Sequence, residues 1–139
     1  MSRVTQLSHG LALMLSLGAV GCGKFREVSA CRSVAHEVNA AADEVDALSK
    51  AKPVDEARIA KRYAALAKAL DARGAGETPL ALAVRDYVSV LRSYENALRN
   101  HAILLKMPYP RITEARRELD RLSKREHAAA TRIDAECHS

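Results

Sequence analysis

Four runs of apolar side chains, each spaced alternately by three and four residues, restrict most strongly what this chain can fold into. The longest reads Leu80, Val84, Tyr87, Leu91, Tyr94, Leu98, His101 and Leu105. An α-helix turns about every 3.6 residues, so this spacing lays one stripe along one helix face. Cys31, Val34, Val38, Ala41, Val45 and Leu48 make a second stripe, and Ile59, Tyr63, Leu66 and Leu70 a third. The fourth uses Ile112, Ala115, Leu119, Leu122, Ala129 or Ala130, and Ile133. No segment shows the sustained period-two alternation or the Asn-Gly turn that a β-hairpin would need.

The breaks between stripes set the helix ends. The first helix is predicted over Val28 to Lys50, stopped by Pro53, which is expected to open the second helix (Val54 to Arg73). Gly74-Ala75-Gly76 ends that helix, and Thr78 followed by Pro79 is a strong start for the third, over Pro79 to Lys106. Met107-Pro108-Tyr109-Pro110 cannot continue a helix, so a fourth runs from Arg111 to Cys137. Four amphipathic helices with short connections predict an all-α, antiparallel up-down four-helix bundle over residues 28–139. Both ends of the bundle domain then lie at one end, with the Gly74–Thr78 loop. The Lys50–Pro53 turn and the Met107–Pro110 loop lie at the other.

The chain before the bundle has a different character. Leu11 to Gly21 is an apolar run ending in small residues, preceded by a segment with one cation, Arg3, and no acid. It is too short to span a bilayer, which takes about 20 residues. Ala19-Val20-Gly21-Cys22 resembles the lipobox of a bacterial lipoprotein signal peptide, with Ala19 where Leu is usual. The resemblance implies cleavage between Gly21 and Cys22, acylation of the Cys22 thiol, and residues 22–27 as a tether to the membrane. Gly23 after the acylated cysteine, in place of the Asp of the enterobacterial inner-membrane sorting pattern, favours the outer membrane, facing the periplasm.

Removing residues 1–21 of 139 leaves 118, enough for one small domain. The removed segment holds one of the 22 Lys+Arg and none of the 17 Asp+Glu, so the remainder carries a net charge of +4. An exported chain meets anionic lipid head groups rather than nucleic acid, so no nucleic-acid partner is expected. With Cys22 acylated, Cys31 and Cys137 remain as an even pair in a compartment that permits disulfides. They open the first bundle helix and close the last, so the topology makes them neighbours, as a bridge requires.

The bundle sequence is poor in recognisable chemistry. His36-Glu37 lacks the second histidine of a zinc helix, and no histidine has Glu three places earlier, as di-iron bundles need. Asp134-Ala135-Glu136-Cys137-His138 has Asp where the first cysteine of a haem-attachment motif would stand. There is no nucleophile elbow and no glycine-rich phosphate loop. No catalytic residue, metal site or cofactor follows from these residues.

His101 reads as a hydrogen-bonded core residue, and Tyr63, Tyr87 and Tyr94 as core rings, with a cavity lined by all four as the alternative. The charged face of the fourth helix reads as solvated, with Arg116–Asp120 and Asp120–Lys124 pairs along it. The reading that follows is a lipid-anchored, non-enzymatic envelope protein. It would act as an interaction or assembly module for an envelope protein partner, contacted through Met107 and Tyr109. In size, anchor and helical content it resembles small helical pilotin-type lipoproteins, a resemblance of architecture alone. A periplasmic bundle that binds a small molecule or metal is the alternative. Replacing Cys22 by Ser is expected to move the protein from the membrane fraction to the soluble periplasmic fraction on cell fractionation; attachment that survived the substitution would refute the anchor.

Overall fold

The structure, a computed structural model, describes residues 22–108 and 111–139. Ala19, Val20 and Gly21 of the lipobox, and Tyr109, lie outside the described residues, as does the side chain of Cys22. Four helices follow in order: α1 Cys22–Lys50, α2 Glu56–Asp71, α3 Pro79–Leu104 and α4 Ile112–His138, with a 3-10 turn at Ala72–Gly74 after α2. The fold is all-α, and no strand occurs among the described residues.

Contacts between side chains fix the directions. Glu56 meets His101, Tyr63 meets Tyr94 and Gly74 meets Arg85, so α2 and α3 run oppositely. Tyr87 reaches Glu126, and Leu98 lies in one cluster with Leu119, which reverses α4 against α3. Glu44 pairs with Arg62 while Val34 packs with Leu70, which reverses α2 against α1.

The starts of α1 and α2 differ from the sequence reading, and the remaining ends move by at most two residues. The stretch 22–27, expected as a tether, is helical and forms the first turns of α1. Lys24, Phe25, Arg26 and Glu27 hold no helix breaker, and Gly23 alone costs only about 1 kcal/mol. Pro53 does not open α2. Asp55 is its N-cap, its carboxylate accepting from the backbone N–H of Arg58 at 3.0 Å. A side-chain acceptor satisfies an orphan donor of the first turn, which proline cannot do. Thr78 and Pro79 hold the expected cap and first position of α3. The end of α2 is fastened from α3: the Arg85 guanidinium donates to the carbonyls of Gly74 and Gly76. Gly76 has φ +100°, which suits glycine.

The core divides along the bundle. Near the disulfide, Val34, Val38, Leu66, Leu70, Val84, Tyr87, Leu91 and Ile133 pack densely. Toward the other end a smaller cluster holds Ile59, Ala60 and Leu98, with Val45, Leu48 and Leu119 around it. Tyr63 packs against both. Full burial of each large apolar side chain contributes about 1.5–3 kcal/mol. Leu105, read as a member of the α3 stripe, is instead exposed, one residue past the end of α3 at Leu104.

Cys31 and Cys137 are bridged, with Cα atoms 5.7 Å apart. Helix α1 lies mainly on α2 and approaches α4 closely at few points, the bridge being one. Reduction should therefore loosen α1 before the rest. Breaking the bridge, chemically or by Cys137→Ser, is expected to cost about 2–5 kcal/mol in denaturant unfolding. Amide exchange should rise first in α1; exchange rising equally in all four helices would contradict this arrangement.

Candidate functional site

Because α1 and α4 are tied at one end and separate further along, a cleft opens between them, floored by α2 and α3. It encloses a cavity of about 220 Å³. The side chains facing it from α1 and α4 include the small Ala41, Ala42, Ser123 and Ala130 beside Val38, Val45, Glu126 and His127, and together they leave the gap unfilled. Where alanines meet between α2 and α3, as at Ala60, Ala67 and Ala83, the helices close on one another instead.

Three tyrosines line this cleft. Tyr63 from α2 and Tyr94 from α3 stack with centroids 5.0 Å apart and planes 24° from parallel. Tyr87, 1% exposed, donates its hydroxyl to Oε1 of Glu126 at 2.8 Å. Burial pushes the Tyr94 hydroxyl above the ordinary tyrosine value, and Ser123 nearby pulls it partway back. Both roles read for the tyrosines are found: Tyr87 is a buried core ring with Tyr63 packed against its cluster, and all three also line the cavity, without His101.

His101 is not part of it. It is buried near the far end of the bundle, where Nδ1 donates to Glu56 Oε2 at 2.6 Å. Its Nε2 is buried and has no hydrogen-bond partner among the described residues. This is the hydrogen-bonded core histidine that the α3 stripe suggests.

Glu126 is the residue sequence reasoning missed. It continues the α4 stripe: Leu119, Leu122, Glu126, Ala129 and Ile133 keep the spacing of three and four. A carboxylate on an apolar stripe is the signal that could have found it. Burial pushes its carboxyl above the usual carboxylate range, while the Tyr87 hydroxyl and the charge of His127 pull it partway back. Burial, then the charge of Glu126, holds the Tyr87 and Tyr63 hydroxyls far above the ordinary tyrosine value, so both stay protonated.

The other singled-out positions lie elsewhere. Met107 is exposed at the far end of the bundle, in the company of Ile103, Leu105 and Val54. On α4 the expected Arg116–Asp120 and Asp120–Lys124 pairs do not form among the described residues. Arg121 grips Glu118 with two hydrogen bonds, and Arg132 crosses to Asp86 of α3. Both are exposed pairs, which stabilise little. The described residues contain no cluster of three metal-ligating side chains, and no described helix is long and apolar enough to cross a membrane.

No protein-family model matches this chain, and neither a curated protein nor a solved structure is detectably similar to it.

The raised Glu126 carboxyl predicts a pH dependence of stability. Below the usual glutamate value, about pH 4.3, the group is protonated in both folded and unfolded chains. As pH rises past that value the unfolded chain releases its proton while the buried carboxyl holds it, so Glu126 makes the fold progressively less stable until it too ionises. Glu126→Gln should flatten this part of the stability–pH curve in urea unfolding at a series of pH values; a curve unchanged by the substitution would contradict the burial of the charge.

Proposed function

We propose that this chain is a lipid-anchored, non-enzymatic binding protein of the bacterial envelope, and that the tyrosine-lined cleft is where it binds. The observation that carries the reading is the cavity between α1 and α4, about 220 Å³ and walled by all four helices. Ligand sites between the helices of bundles are concave and mostly apolar, with few polar groups that orient the ligand. Here those groups are Glu126, Asp46, His127, the three hydroxyls and the short polar side chains of Asn39, Ser49 and Ser123.

A second reading, docking of an envelope protein on the end away from the lipid, is favoured by a separate observation. Ile103 is 62% exposed and Met107 53%, with Leu105 and Val54 exposed at the same end. Such side chains suit the apolar face of a partner helix. Tyr109 belongs to this reading by its place in the chain.

One experiment separates the two. The full chain is purified from detergent-solubilised envelopes after crosslinking, and examined by native mass spectrometry as wild type, Ala42→Leu and Met107→Asp. Ala42 is exposed on α1 and lines the cleft, so leucine there obstructs it with little effect on folding. The cleft reading expects a small bound molecule on the wild type that Ala42→Leu loses and Met107→Asp keeps. A stoichiometric protein partner lost only in Met107→Asp would favour the docking reading, and a small molecule held equally by all three would count against the cleft.

A further inference from the structure

Resting on the reading of the cleft as a binding site, we propose that its ligand is a small primary ammonium compound with an apolar body, its nitrogen held by Glu126 and its body enclosed by Tyr63, Tyr87 and Tyr94. Size is the first argument. An apolar cavity of about 150 Å³ accommodates benzene. The cleft, at about 220 Å³, has room for a ring or short chain and one polar arm.

Charge is the second argument. No lysine or arginine lines the cavity, and its basic side chains are limited to His127, which stands beside Glu126 on α4. Glu126, once ionised, brings negative charge, while the charge of Asp46 is balanced by Lys50, which pairs with it outside the lining. Glu56 and Asp120 also act on Tyr94 from nearby. An anion would meet carboxylates with no fixed cation to hold it.

The third argument is the unfinished shell of Glu126. Oε1 accepts from Tyr87, whereas Oε2 has no hydrogen-bond partner among the described residues and, not being one of the fully buried unpaired atoms, keeps access to solvent. A buried carboxylate is stable when a cation pairs with it and N–H donors complete its shell. A primary ammonium supplies both. A quaternary ammonium brings charge without a donor, and a metal ion would need ligands that the described residues do not cluster. The phenol rings add favourable electrostatics, since their faces attract cations.

The test uses the full chain in detergent and isothermal titration calorimetry with two probes of one shape, benzylamine and benzyl alcohol, up to millimolar concentration. Three proteins are compared: wild type, Glu126→Gln and Ala42→Leu. Glutamine keeps an acceptor for Tyr87 and removes the charge. Benzylamine should bind the wild type, weaken on the order of tenfold to a hundredfold in Glu126→Gln, and fail to bind Ala42→Leu. Benzyl alcohol should bind more weakly than benzylamine and equally to wild type and Glu126→Gln. If Glu126→Gln unfolds by circular dichroism, the preference for benzylamine over benzyl alcohol in the wild type and its loss in Ala42→Leu decide the matter. Equal binding of the two probes to the wild type, abolished by Ala42→Leu, would overturn the ammonium proposal and leave the cleft as a binding site. Binding of neither probe to the wild type would overturn both.

Discussion

Helix α1 is held unequally along its length, and the cleft depends on that. At one end a covalent bond fixes it to α4, with Cα atoms 5.7 Å apart. Along its flank it rests on α2 through Val34, Val38 and Ala41. Beyond the bridge nothing of comparable strength draws it to α4, and the facing side chains leave the distance unfilled. A close-packed interior tolerates few empty spaces, because unfilled volume forfeits contacts on every side. Here the dense cluster beside the disulfide, with Tyr87 and Leu70 fully buried, stabilises a bundle that leaves one seam open.

Within that seam the polar groups are arranged economically. Tyr87 is buried and must place its hydroxyl, and Glu126 is the acceptor that lets it do so. The pair satisfies the phenol and engages one oxygen of the carboxylate. Tyr63 and Tyr94 complete the wall by stacking on each other, which orients two large rings from different helices. Removing any of these aromatic side chains would enlarge the cavity as well as strip its lining, so stability and binding are coupled at this site. The carboxylate is the exception: glutamine is nearly its size, so its charge can be changed while the volume is kept.

Much of the architecture was legible from the residues. The α3 stripe from Leu80 to Leu98 is buried along most of its length, Thr78 caps the helix it was expected to cap, and the chain turns back where glycines and prolines stand. The pairing of Cys31 with Cys137 followed from topology once four helices were counted. The misreadings are local. Asp55 took the role assigned to Pro53, because a cap is decided by one side-chain hydrogen bond. Residues 22–27 joined α1, because nothing in them opposes a helix. Half of the site was also in view: the three tyrosines were marked as either core or cavity, and periodicity cannot choose between those. Glu126 sat in plain order on the α4 stripe but was hidden among the charges around it.

What the sequence by itself determined is the helical class, the number of helices, the turn positions and the face each helix turns inward. These follow from the 3.6-residue repeat and from backbone preferences, both local properties of the chain. What only the tertiary structure decided is where the interior is full and where it is not. Whether alanine draws two helices together, as between α2 and α3, or leaves a gap, as between α1 and α4, depends on what the other helices and the disulfide allow. The same holds for His101 and Glu126. Each is a polar residue on an apolar stripe; one found Glu56 and became part of the core, the other met a phenol and an open cavity. A side chain's partner across the bundle is a fact of packing, and the spacing of residues along one helix carries no record of it.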